Sequence, residues 1–184
     1  MADALPAMPG WTDIAPAMVD RARQRFGDAA IYAVMDGSAP NVEGPFNLIC
    51  SSLAMQWMPD LGTTVAALRA LLAPGGHLAF TTMAAGSFEE WRVAHEGARP
   101  GTPDYPSAMA LEALGLDVSL ETVTEAHGSA ADFLRALKAI GAGTPRPGHR
   151  PLNPARLKEV MRRFEESGAI ARYVVATCIT GPRP

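Results

Sequence analysis

With 184 residues, 48% of them hydrophobic and 19% charged, the chain carries enough apolar material for one globular core. A formal net charge of −3 and a pI near 5.8 leave no basic footprint, which argues against nucleic acid or an anionic membrane as the main partner. Cys50 and Cys178 lie far apart in apolar runs without metal-like spacing, and read as buried free thiols in a reducing compartment. No apolar run is long enough to span a bilayer, and Met1 to Gly10 lacks the basic and apolar regions of a secretory leader, so a cytoplasmic location is expected.

Residues 1–9 are rich in Ala, Pro and Met and are expected to form a frayed lead-in to a single domain over 1–184. Gly10 to Ile14 is a short strand candidate, followed at once by a helix with Pro16 in its first turn and Met18, Val19, Ala22 and Phe26 on one face. Asp13 therefore closes a strand. There its carboxylate can accept both hydrogen bonds of a ribose diol, or serve only as a helix cap or loop aspartate. Ala30 to Met35 is the next strand, and Asp36-Gly37-Ser38-Ala39-Pro40 is a turn-rich loop that puts a second acid at a strand's carboxyl end.

From Pro45 to Met83 the pattern is strand, helix, strand. A buried strand (Phe46 to Cys50) leads into a bend at Ser51-Ser52 and a helix from Leu61 to Leu72. Pro74-Gly75-Gly76 stops that helix, and because it precedes a strand it is not a phosphate cradle; the second strand runs from His77 to Thr82. Such a unit pairs in parallel through a right-handed crossover, and ligands of such sheets sit beyond the carboxyl ends of the strands. Ser51, Ser52, Leu53, Gln56 and Trp57 lie at that position, although a tryptophan there more often belongs to a core.

Ser87 is expected to cap a helix from Phe88 to His95, and residues 97–107, with the breakers Pro100, Gly101, Pro103 and Pro106, form either a lid or a plain connection. A helix (Ala108 to Leu114), a strand (Leu116 to Thr124), a helix (Ser129 to Ile140), a Gly/Pro-rich break (Gly141 to Pro151), a helix (Asn153 to Ser167) and a strand (Arg172 to Thr180) follow. The alternation specifies α/β, and the closing helix and strand suggest an antiparallel edge strand. His77, His95, His127 and His149 share no metal-like spacing, and no nucleophile motif or catalytic cluster stands out. A glycine fingerprint for a nucleotide-dependent oxidoreductase is likewise missing.

In this order the residues resemble a class I S-adenosylmethionine-dependent methyltransferase. The carriers are Asp13-Ile-Ala-Pro-Ala-Met18, Asp36, and Ala73-Pro74-Gly75-Gly76 before a strand. Three further stretches, Ser51 to Trp57, Leu78 to Thr82 with Gly86-Ser87, and Leu137-Lys138-Ala139-Ile140-Gly141-Ala142, resemble the malonyl-acyl-carrier-protein O-methyltransferases of biotin synthesis. The resemblance implies a doubly wound, mostly parallel, Rossmann-like sheet with helices on both faces and S-adenosylmethionine as cofactor. It implies Asp13 and Ile14 beside the ribose, Asp36 and Gly37 at the adenine edge, Ser51 and Leu53 along the cofactor wall, and Gln56 and Trp57 on the methyl-acceptor side.

The implied reaction is in-line attack by a substrate carboxylate oxygen on the sulfonium methyl. An ionised carboxylate is already nucleophilic near neutral pH, so neither a catalytic base nor a metal is implied. The acceptor is a small-molecule or carrier-bound carboxylate; Lys138 and Arg150 contact an acidic acceptor or carrier, or simply face solvent. Three departures stand out. The family's first strand and Gly-rich turn are absent, Asn47 replaces an acid, and Thr102-Pro103-Asp104-Tyr105 lacks the basic residue expected near a carboxylate. Without that strand, its two neighbours close the gap, pair with another chain or a second copy through an open sheet, or reflect an N-terminally shortened reading, the last being the expectation. The rival function is a non-catalytic methyltransferase-like domain that pairs with a partner chain.

Overall fold

The computed structural model of the protein describes residues 10–139 and 144–181; the lead-in and the Ile140-Gly141-Ala142 part of the quoted motif lie outside them. These residues fall into two compact units, one of the chain up to Ile49 with Trp57–Leu78, the other of Cys50–Gln56 with Ala79–Gly181.

In the first unit, β1 (Gly10–Asp13) and β2 (Ile31–Val34) pair in parallel, with Gly10 opposite Ile31 and Asp13 opposite Val34. The helix between them, α1 (Pro16–Phe26), starts on Pro16, whose missing N–H would have had no partner in the first turn anyway. Phe26 stacks on Trp11 at 5.0 Å between ring centroids, and Val19 is buried. β3 (Phe46–Ser52) leads to α2 (Leu61–Ala70), capped by Asp60, whose Oδ1 accepts from the Thr63 N–H at 2.6 Å. β4 (Leu72–Met83) follows directly.

Two expected boundaries move here. The helix stops at Ala70 rather than Leu72 because Leu71 C=O already accepts from the Phe46 N–H at 2.8 Å, committing the chain to pairing with β3. Pro74-Gly75-Gly76 consequently lies inside the strand. Gly76 is required by closeness: a Cβ there would sit 2.8 Å from Phe46 O and 3.0 Å from Ala73 O. The expected bend at Ser51-Ser52 is also displaced, since both serines remain extended and the turn falls on Leu53 at φ +48°.

The strands form a two-stranded sheet, β1-β2, and a four-stranded sheet in the order β3-β4-β6-β5. β3 therefore ends its row, and the buried character expected of it is not realised: Leu48 is 59% exposed and Cys50 is exposed as well. Cys178, in the interior strand β6, is buried, and burial pushes its thiol up to about 11.

The second unit adds α3 (Glu89–Ala94), α4 (Ala108–Glu112), β5 (Leu116–Ala126), α5 (Ala130–Ala139), α6 (Pro154–Glu166) and β6 (Ile170–Thr180). β6 is antiparallel to both β4 and β5, as its place after a helix suggested. It does not form the edge, however. It inserts between its two partners and leaves β5 outermost, because eleven residues of ladder on one side and a buried register on the other satisfy both of its edges. Ser87 does not cap α3. Its Oγ donates to Ala84 O at 2.8 Å and accepts from the Val174 N–H at 3.0 Å, so Phe88 starts the helix in a left-handed conformation.

The core of this unit is aromatic. Phe133, Val160 and Phe164 are wholly buried, with Phe133 and Phe164 rings 5.0 Å apart and Trp91 5.4 Å from each. His95 is buried beside them, its Nδ1 2.8 Å from Trp91 O, and burial holds its pKa below the ordinary 6.5. The unfolded chain therefore takes the proton more readily than the fold, and stability is lost as pH drops from the ordinary imidazole value through the lower folded one. The melting temperature is expected to fall as pH goes from 7 to 5, and a His95→Gln variant to show a flatter dependence in that window; equal slopes would place the titration elsewhere.

Candidate functional site

Asp13 and Asp36 stand past the carboxyl ends of two parallel neighbours. Pairing runs one step beyond the strands, with the Met35 N–H donating to Asp13 O at 3.0 Å, so both side chains leave the sheet at the same end. Asp13 is not the helix cap, which is Ala15, but its Oδ1 accepts from the Ala15 N–H at 2.8 Å and fixes the half-buried carboxylate. Asp36 Oδ1 accepts from both the N–H and the hydroxyl of Ser38, at 2.8 and 2.7 Å. Those two bonds, the hydroxyl's first, hold its carboxyl below the usual carboxylate range. In both residues Oδ2 has no intramolecular hydrogen-bond partner among the described residues.

Ile14, next to Asp13, is 67% exposed, and Gly37 lies against Met58, whose Cε would be 3.2 Å from a Cβ at that position. Trp57 is 41% exposed, so the core role open to it from sequence is not the one it takes. These five residues belong to the first unit, and Ser51, Leu53 and Gln56 to the second.

In the second unit the left-handed Leu53 donates its N–H to Thr81, whose O and Oγ1 are both 3.1 Å away. Gln56 folds back, with Nε2 donating to Leu53 O at 2.6 Å and Oε1 accepting from the buried Thr82 hydroxyl at 3.4 Å. Its amide is thereby oriented by the end of β4. Sequence reading placed Thr81 and Thr82 in a strand and gave them no part in the site. The available signal was a pair of hydroxyls closing an otherwise apolar strand.

Residues 97–107 are pinned at both ends. The Ala85 N–H donates to Pro106 O at 2.8 Å, and Arg146 donates its N–H to Gly101 O at 2.8 Å and its Nε to Pro100 O at 3.1 Å. The stretch Thr102-Pro103-Asp104-Tyr105 has no basic side chain of its own, and Arg146, 46 residues beyond Pro100, is a second cation held at this loop besides its own Arg99. Among the described residues no group of three or more His, Cys, Asp and Glu is placed to hold a metal ion, and no helix is long and apolar enough to cross a membrane.

The comparisons with known proteins agree with this architecture. Residues 2–144 match the family model of a methyltransferase domain. The chain is 46% identical over 173 residues to the biotin biosynthesis bifunctional protein BioCD of Bordetella avium, covering 90% of this chain and 37% of that protein. It is 37% identical over 162 residues to the malonyl-[acyl-carrier protein] O-methyltransferase of Magnetococcus marinus, covering 83% of this chain and 60% of that one. It spans, in other words, less than two thirds of each relative. Among solved structures, YcgJ of Bacillus subtilis aligns with a TM-score of 0.59 at 13% identity, over 95% of this chain and 81% of that one. A Haemonchus contortus N-methyltransferase in complex with S-adenosylhomocysteine aligns with a TM-score of 0.55 at 14% identity, over 96% and 44%. At such identities the likeness is one of fold, the Rossmann-like α/β architecture expected from the sequence. A family match across most of the sequence, joined to acids at adjoining parallel strand ends, makes the chain a member of the methyltransferase-domain family.

Proposed function

We propose that this chain acts in S-adenosylmethionine-dependent methyl transfer to a carboxylate oxygen, the acceptor being a malonyl thioester on acyl carrier protein in the cytoplasm. The observation that carries the reading is the pair Asp13 and Asp36, each with one carboxylate oxygen anchored by local donors and the other available. That donor set fits an adenosyl group. Asp13 would accept from the ribose hydroxyls with Ile14 alongside, and Asp36 with Gly37 would take the adenine edge. Ser51 and Leu53 would line the cofactor wall. When bound, the cofactor supplies an electrophilic methyl group.

The protein's own part is positioning. Gln56, fixed between Leu53 O and Thr82, presents an oriented amide suited to holding an acceptor in line, and Trp57, in the first unit, offers an exposed ring. The acceptor carboxylate needs no proton removed, in keeping with a site built from orienting hydrogen bonds. The names borne by the relatives, one of them a malonyl-[acyl-carrier protein] O-methyltransferase, support this acceptor class.

Calorimetric titration with S-adenosylmethionine tests the reading. Asp13→Ala is expected to weaken binding by about 1–3 kcal/mol through loss of hydrogen bonds to a charged acceptor. Asp13→Asn, which keeps an acceptor for the Ala15 N–H, should fall between. Unchanged affinity in Asp13→Ala would discard the ribose assignment.

A further inference from the structure

Six of the chain's 16 Lys and Arg residues, and none of its 19 Asp and Glu residues, lie between Phe133 and Lys158, although the whole chain carries a net charge of −3. Apart from Arg135, which pairs with Asp132, these cations lie at one end of a helix pair or in the connection there. The Ala130 N–H, opening α5, donates to Glu165 Oε1 near the close of α6 at 2.9 Å, so the two helices run antiparallel. Lys138, in the last turn of α5, therefore lies at the same end as Arg156 and Lys158 in the first turns of α6. The described part of the connection between them, from Thr144 on, is fastened to the 97–107 loop through Arg146, and a Cβ on Gly101 would sit 3.3 Å from His149 Nε2.

The acids around this end are already engaged. Asp104 pairs with Arg99, Glu96 with Arg163 at 2.5 Å and more distantly with Arg156, and Glu159 with Arg162 and Arg163 at 2.6 and 2.9 Å. Asp132, at the far end of α5, pairs with Arg135. Lys138, Arg150 and Lys158 are exposed and have no ion-pair partner among the described residues. With those acids taken up by arginines of the fold, the exposed charge of Lys138, Arg150 and Lys158 is left over for something outside it.

We propose that the surface formed by Lys138, Arg146, Arg150 and Lys158 is the docking face for an acidic protein partner, the carrier domain that delivers the acyl substrate. This rests on the methyl-transfer reading above. The face adjoins the site's rim, because the loop to which Arg146 is bonded is tied at its other end to Ala85, two residues past β4, the strand whose Thr82 holds Gln56. A carrier seated there would hand its thioester arm over the loop toward that strand end. The substrate carboxylate and the carrier would then be recognised by separate parts of the chain: the acceptor by Gln56 and Trp57, the carrier by unpaired cations.

The test is fluorescence anisotropy of labelled malonyl-acyl carrier protein with the full chain across a salt series, alongside S-adenosylmethionine titration. Arg150→Glu/Lys158→Glu is expected to weaken carrier binding by about tenfold or more at low salt, and to flatten the steep salt dependence of the unsubstituted chain. Circular dichroism checks that these exposed substitutions leave the fold intact, and Arg150→Gln/Lys158→Gln gives a milder loss in the same direction. Carrier binding within twofold of the unsubstituted chain, or no carrier binding by that chain at all, overturns the docking face. If cofactor binding persists while carrier binding is absent, the face fails and methyl transfer stands. If carrier binding responds to charge reversal while no cofactor binds, the face stands and the methyl-transfer reading fails.

Discussion

Phe133→Ala is expected to destabilise the protein by about 3–5 kcal/mol, the cost of removing a large buried ring together with the cavity it leaves. Phe133 is wholly buried, and its ring lies within 5.9 Å, centroid to centroid, of Phe88, Trp91, His127 and Phe164. Those neighbours come from α3, α6 and the segment after β5, so no single element can move inward to fill the space. Denaturant unfolding followed by far-ultraviolet circular dichroism measures the change, with the second unit expected to unfold at markedly lower denaturant. A loss below about 1 kcal/mol would mean the site collapses, and that the aromatic cluster is looser than its ring contacts indicate.

Gly76→Ala should follow at about 1–3 kcal/mol, the usual range for overpacking a closely fitted site. The added methyl would meet backbone oxygens of Phe46 and Ala73 at 2.8 and 3.0 Å, and backbone held in a strand pair cannot swing aside as a side chain would. Gly75 is the natural control. It adopts φ +76° but has nothing within 4 Å of a Cβ, so Gly75→Asn, a residue tolerant of that conformation, should cost much less. If the two substitutions prove equally costly, conformation and not closeness governs this part of β4. Both variants are read by the same unfolding measurement.

Much of the candidate site was legible because local chemistry announces it. Asp13 and Asp36 each follow a short apolar run and precede turn residues, and short-range patterns of that kind survive into the structure because the hydrogen bonds that fix the two carboxylates are made within two residues. Gln56 was legible by position, but its partner Thr82 was not, being twenty-six residues away. Ser87, a serine before Glu89-Glu90, fits a cap locally, but a strand 87 residues distant supplies its partners instead. The acid-free run from Phe133 to Lys158 was visible in the sequence, but its gathering at one end of two helices was not.

By itself the sequence determined the alternation of strands and helices, the two strand-ending aspartates, the Pro16, Ser129 and Asn153 helix starts and the apolar faces, all set by periodicity and by bonds spanning a few residues. Tertiary structure alone decided that β6 enters between β4 and β5, that β3 lies exposed at the end of its row, that Gly76 serves closeness, and that Arg146 reaches the 97–107 loop. These depend on which distant backbone groups find one another. Pairing of that kind is chosen by the summed satisfaction of a whole ladder or core, and no short stretch of residues encodes it.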